Sequence, residues 1–121
     1  GDVSAGFRAL YERLIFQSLT YQAEQMCCNE RRIPVLMIMT SNAAEEFYPQ
    51  IGYDKMLANY QQMLSNMVGP TKILISGDTL QVKNYDKYQW TMFDPKAKQE
   101  RHDTIFPQEM QKAFALGAEL L

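Results

Sequence analysis

The sequence predicts an α/β fold in which a parallel sheet is covered by helices. Two short apolar runs, residues 33–39 and 72–76, alternate with segments of helical period. The first run is continuous rather than alternating, as a strand covered on both faces reads. Strands that alternate with helices imply parallel pairing and right-handed crossovers.

Residues 4–24 carry Phe7, Leu10, Tyr11, Leu14 and Ile15 at the i, i+3, i+4, i+7, i+8 spacing of one buried helix face. Ser4 is a natural cap, and Asp2 suits the positive end of that helix. Residues 25–32 are polar and read as a connection. In residues 33–39, Pro34 fits only near the start of a strand. Thr40-Ser41-Asn42-Ala43 then has the small polar character of a loop at a strand's carboxyl end. Residues 53–68 form the second helical stripe, with Met56, Leu57, Tyr60, Met63, Leu64 and Met67, and Gly69-Pro70 stops it. Residues 72–76 are the second strand, and Gly77-Asp78 turns out of it. Residues 79–106 are expected to be a long irregular insert carrying Tyr85, Tyr88, Trp90 and Phe93. Pro107 opens a last helix, with Met110, Ala113, Phe114, Gly117 and Ala118 on its sheet-facing side and Gly117 permitting close approach.

Length and composition limit the function classes. The 121 residues suit one domain, and 46% hydrophobic with 21% charged residues is ordinary globular composition. A net charge of −2 provides no basic footprint for nucleic acid. No apolar run approaches membrane-spanning length. The small, acidic start does not resemble a signal peptide. Adjacent Cys27 and Cys28 do not suggest a disulfide framework, so a cytoplasmic setting is expected. A chain that enters a helix almost at once, without an initial Met, reads as one that starts inside a loop. Two strands do not make a stable doubly wound sheet, so further strands are expected from elsewhere.

Several segments resemble one bacterial group within the flavodoxin family. They are Asp78-Thr-Leu-Gln81, Tyr85-Asp-Lys-Tyr88, Phe93-Asp-Pro95, Phe106-Pro107 and Gln111-Lys-Ala-Phe-Ala-Leu-Gly117, with Tyr11-Glu-Arg-Leu14 and Ile51-Gly-Tyr-Asp-Lys55. The group comprises NAD(P)H-dependent FMN reductases, similar to the flavoprotein part of iron–sulfur flavoproteins. The resemblance implies a flavodoxin-like three-layer α/β sandwich with a parallel sheet. Residues 1–121 would be a single partial domain, its C-terminal part, without the N-terminal strands and the phosphate-binding loop. In that family Gly1-Asp-Val-Ser4 matches the tail of a loop of the form P-x-Y-x-G-x-x-S that hugs the flavin ring; the Pro and Tyr are absent here. The family's cysteine motif lies upstream, and Cys27 and Cys28 do not match it.

The resemblance further implies FMN as cofactor, NAD(P)H as electron donor, and a small molecule or protein as electron acceptor. Hydride transfer to flavin requires no protein acid or base, which suits a sequence without a catalytic triad or metal-ligand cluster. Flavin contacts are expected from Gly1, Asp2 and Ser4, and from Thr40, Ser41 and Asn42 beyond the first strand. Helix capping by Ser4 and turn chemistry at 40–42 are the plainer readings of those residues. The family commonly associates as homo-oligomers, for which Tyr85, Tyr88 and Trp90 are interface or substrate-wall candidates. Lys98, Arg101 and His102 could meet a 2′-phosphate, although a solvated helix face explains them more simply. Two other function classes compete. One is a flavin-free interaction or oligomerisation module on the same scaffold. The other is a phosphoryl-acceptor regulator, for which Asp78 alone does not supply the acidic cluster.

Overall fold

The computed structural model describes residues 2–120, which form a mixed α/β unit with a two-stranded parallel sheet. Helix α1 (Ala5–Ser18) starts where Ser4 Oγ accepts from the Phe7 N–H at 3.3 Å. The helix ends six residues before the sequence pattern suggests. An extended hairpin follows, β1 (Leu19–Gln22) antiparallel to β2 (Gln25–Cys27). The reason is local: the apolar stripe would continue at positions 18, 21 and 22, where only Tyr21 is apolar. Further helix would bury little, while Thr20 and Tyr21 favour a strand.

Strands β3 (Val35–Thr40) and β4 (Thr71–Ser76) pair in parallel, from Val35 opposite Thr71 to Thr40 opposite Ser76. Between them lie a 3₁₀ turn (Glu45–Phe47), α2 (Tyr48–Ile51) and α3 (Tyr53–Met67). Gly52, at φ 79°, makes the left-handed step between the two helices. Met37 and Met39 point into a core with Tyr48, Leu57, Tyr60 and Leu64. Phe7 and Tyr11 of α1 meet the Tyr60 ring edge-on at 5.6 and 4.9 Å, which seats α1 beside α3 on this face.

The opposite face carries Leu74 and Ser76, both buried. Here α5 (Phe106–Ala118) packs on the strands, and α4 (Pro95–Thr104) packs against α5. Ser76 Oγ donates to Glu109 Oε2 at 2.6 Å, and Lys72 pairs with Glu119. Helix α4 replaces the second half of the expected irregular insert. Its start was readable, since Asp94 caps the Lys96 N–H at 2.8 Å and Pro95 takes the first helical position. Its polar composition shows no apolar period, so only its tertiary partners reveal it.

Three expectations about packing fail. First, β3 is not covered on both faces: Ile38 remains 52% exposed, because the polar contacts of α5 go to β4. Second, the half-buried side of α5 is Phe106, Glu109, Ala113, Leu116 and Gly117, so Ala113 and Gly117 keep their expected side, while Met110 and Ala118 are exposed and Phe114 is 82% exposed. Third, Gly117 is not a close-approach residue, since a Cβ there would meet nothing within 4 Å. The outer edge of β3 is also unpaired among the described residues. Val35 and Ser41 donate towards β4, to Pro70 O at 2.8 Å and Ser76 O at 3.2 Å. Alternation therefore turns the N–H and C=O groups of Leu36, Ile38 and Thr40 to the free edge.

The close approach is at Gly69 instead. Ile33 N donates to Val68 O at 3.0 Å, and a Cβ on Gly69 would stand 2.6 Å from the Ile33 carbonyl carbon. Gly69→Ala is expected to lower the unfolding free energy by about 1–3 kcal/mol in urea titrations, through overpacking against backbone. Gly117→Ala is expected to raise it by about 0.5–1 kcal/mol, because the helix gains propensity without a clash. Equal effects of the two changes would contradict this packing.

Candidate functional site

The carboxyl ends of β3 and β4 are joined by backbone and side-chain hydrogen bonds. Asp78 N donates to Ala43 O at 2.9 Å, and both the N–H and Oγ1 of Thr79 donate to Ser41 O at 2.9 Å. Ser41 Oγ donates to Ala43 O at 2.7 Å and shares a 2.7 Å hydrogen bond with Tyr48 Oη. Burial pushes the Tyr48 phenol above its ordinary pKa, with the Ser41 bond partly offsetting it. Gly77 lies so close to Ala43 that a Cβ would stand 3.0 Å from its carbonyl oxygen.

Lys98 of α4 completes this joint. It is 1% exposed, and its ammonium donates to Asn42 O at 3.0 Å, to Thr79 O at 3.4 Å and to Asp78 Oδ1. Its Nζ also sits 4.9 Å from the centre of the Phe93 ring. Asp78 adopts φ 51°, a left-handed conformation uncommon outside glycine, asparagine and aspartate. Each ammonium proton thus has an acceptor, as burial of the charge requires.

The basic cluster suggested for a 2′-phosphate is not assembled. Lys98 faces Asp78, Arg101 pairs with Glu109, and the His102 ring stacks on Phe106 at 5.1 Å and 19°. The plainer expectation of a solvated face fails too for Lys98 and Arg101, whose side chains turn inward. The sequence held the signals Asp78 after a strand and Asp94-Pro95 before a helix, but no spacing couples Lys98 to Asp78. Tyr85, Trp90 and Phe93 pack on one another, with ring centres 5.0–5.8 Å apart, and Tyr88 lies 5.4 Å from Trp90. Most of these rings therefore serve the fold of the loop between β4 and α4.

The flavin-contact candidates divide between two clefts. The first, about 450 Å³, runs along the free edge of β3, and its lining includes Asp2, Ser4, Phe7, Leu36, Ile38 and Thr40. Asp2 and Ser4 are already engaged. Asp2 Oδ1 accepts from Val3 N at 2.7 Å and from Tyr60 Oη at 3.3 Å, while Oδ2 lies 3.3 Å from Arg8, and Ser4 is the α1 cap. Arg8 donates to Tyr60 Oη at 2.5 Å, and Tyr60 and Asp2 raise its pKa. The Thr40 side chain is exposed at the rim. Ser41 is turned into the strand-end joint, and Asn42 lines the second cleft. Gly1 lies outside the described residues.

That second cleft, about 570 Å³, opens between the segment 42–51 and residues Asp78, Met92 and Phe93. Both cysteines carry free thiols: Cys27 Sγ donates to Met67 O at 3.4 Å and Cys28 Sγ to Gln17 O at 3.7 Å. Among the described residues no group of three His, Cys, Asp or Glu side chains could hold a metal ion, and no helix is long and apolar enough to cross a membrane. Comparison with protein-family models, with curated proteins and with solved structures finds no match.

Two outcomes test this geometry. Lys98→Met strands the Asp78 carboxylate and two carbonyl oxygens, so a loss of about 3–5 kcal/mol is expected in urea unfolding. A loss near zero would mean the ammonium is not the strut. Burial also raises the phenol pKa values of Tyr11 and Tyr48 in the folded state. Their contribution is full below the unfolded value of about 10 and is lost as pH rises through the folded values. Stability is expected to fall above about pH 10, and less steeply in Tyr48→Phe.

Proposed function

We propose that this chain is the C-terminal part of a flavodoxin-like three-layer α/β domain that binds FMN and passes hydride from NAD(P)H to a small-molecule or protein acceptor. The single observation that carries the reading is the cleft along the free edge of β3. Asp2 and Ser4, far from Thr40 in sequence, line it together. Of the residues for which the family resemblance implies flavin contact, Asp2, Ser4 and Thr40 line this cleft, and Ser41 and Asn42 do not. Family resemblance supplies the rest of the reading.

The residues of this cleft fit the ring of FMN better than its phosphate. Phe7, Leu36 and Ile38 offer apolar surface to a flat ring, and Thr40 offers a hydroxyl at the rim. No Lys or Arg lines this cleft among the described residues, so a phosphate would need partners from outside it. When bound, FMN supplies the hydride chemistry. The chain's part would be to hold the ring's apolar face, to exclude water with Phe7 and Ile38, and to fix its orientation through Thr40.

The same free edge supports a second reading, a flavin-free interaction or oligomerisation module. An unpaired strand edge beside the exposed Ile38 is a template for another strand. On the flavin reading the ring of FMN occupies the cleft along that edge; on the second, a strand of another chain pairs with it.

The visible absorption of the purified protein, before and after addition of FMN, separates them. A bound-flavin spectrum that NADH or NADPH bleaches is expected for the oxidoreductase. Thr40→Ala should then weaken FMN binding about three- to tenfold, the value of one hydrogen bond, and Asn42→Ala should leave it unchanged. No uptake by this chain or by a version extended at its N-terminus would favour the interaction module.

A further inference from the structure

We propose that the second cleft, over the carboxyl ends of β3 and β4, is a binding site for a small apolar amine, with the ammonium held at Asp78 and Asn42 and the apolar body held between Phe47 and Phe93. This assignment does not depend on the flavin reading, which concerns the other side of β3.

The position is where open α/β sheets bind ligands, in the crevice beyond the strand ends. The floor is rigid, because Lys98 draws Asn42 O, Thr79 O and Asp78 together behind it. One wall carries Phe47 and Ile51, each 47% exposed, and the other carries Met92, 94% exposed, beside Phe93. Folding leaves these large apolar groups in water around a single hollow of about 570 Å³. That combination of preformed floor, apolar walls and few polar groups is the usual character of a small-molecule site.

The polar groups select the sign of the ligand. All three Lys98 protons are used within the protein, on Asn42 O, Asp78 and Thr79 O. The cleft therefore has no ammonium donor to offer a carboxylate or phosphate. Asp78 uses Oδ1 for Lys98, whereas Oδ2 takes part in no hydrogen bond among the described residues, and the side chain is 31% exposed. Glu46 at the rim adds negative charge, and the Asn42 carboxamide adds an acceptor. The half-exposed Phe47 ring suits a cation as well as an apolar chain, whereas the Phe93 ring already carries the Lys98 ammonium and offers the ligand its apolar edge. An amine satisfies the free Asp78 oxygen, the Asn42 oxygen and the Glu46 charge, while an anion meets repulsion from Glu46 and Asp78.

The test is an amide-shift titration of the ¹⁵N-labelled 121-residue chain with phenethylamine, 2-phenylethanol and phenylacetate. Saturable shifts clustered at residues 42–51, 78 and 92–93 are expected with phenethylamine. Phenylacetate should bind at least about tenfold more weakly, the worth of one charge-assisted hydrogen bond. Asp78→Asn should abolish the preference for amine over alcohol. Because that change also touches Lys98, Phe47→Ala, at a half-exposed position, is the second variant and should weaken phenethylamine and phenylethanol alike. Absence of saturable shifts at these residues, equal binding of amine and carboxylate, or an unchanged affinity in Phe47→Ala would each overturn the assignment.

Discussion

A buried ammonium group cannot remain charged in a protein interior unless each of its protons finds an acceptor. Lys98 meets that demand with oxygens from two separate strand ends, Asn42 after β3 and Asp78 and Thr79 after β4. The constraint spreads outward. The loops after both strands must converge on one point, Asp78 adopts a left-handed backbone, and Gly77 must lie against Ala43. Helix α4 is then held against α5 and the loops at the strand ends despite having almost no apolar residues. The Arg101–Glu109 pair extends the same polar layer to α5, and Glu109 in turn takes the Ser76 hydroxyl.

The two faces of the sheet are consequently built from different forces. On one, Met37, Met39, Leu57, Tyr60 and Leu64 are buried as an ordinary apolar core, with α1 attached through aromatic edges. On the other, hydrogen bonds and ion pairs to β4 hold α5, and β3 is left partly bare at Ile38. Apolar burial is non-directional and tolerates small shifts. The polar face allows fewer arrangements, because each donor must keep its acceptor.

These differences give the two clefts different chemistry. Along the free edge of β3 the walls are apolar, with donors at the rim, which suits a flat ring with carbonyl groups. Over the strand ends the acceptors predominate and the one nearby ammonium is fully engaged, which suits a donor or a cation. Ser41, its hydroxyl on Ala43 and Tyr48, is part of neither lining.

Helix α3, the two parallel strands, the Ser4 cap and the stop at Gly69-Pro70 were legible in the sequence, because period, capping and chain breaking are local properties of neighbouring residues. The grouping of residues near positions 2–4 and 40 was expected only through resemblance. Helix α4, the exposure of Met110 and Phe114, and the Lys98–Asp78 strut were decided by tertiary structure, whereas the β1–β2 hairpin had a local cause in the end of the apolar stripe. The elements decided by tertiary structure depend on a partner distant in sequence or on the lack of one: Lys98 reaches across 20 residues to Asp78 and 56 to Asn42, and α5 turns Glu109 to Ser76. Sequence pattern records how a residue relates to its own helix or strand. The pairing of a charge with a counter-charge from another element is chosen by the free energy of the assembled interior, and no local period carries that choice.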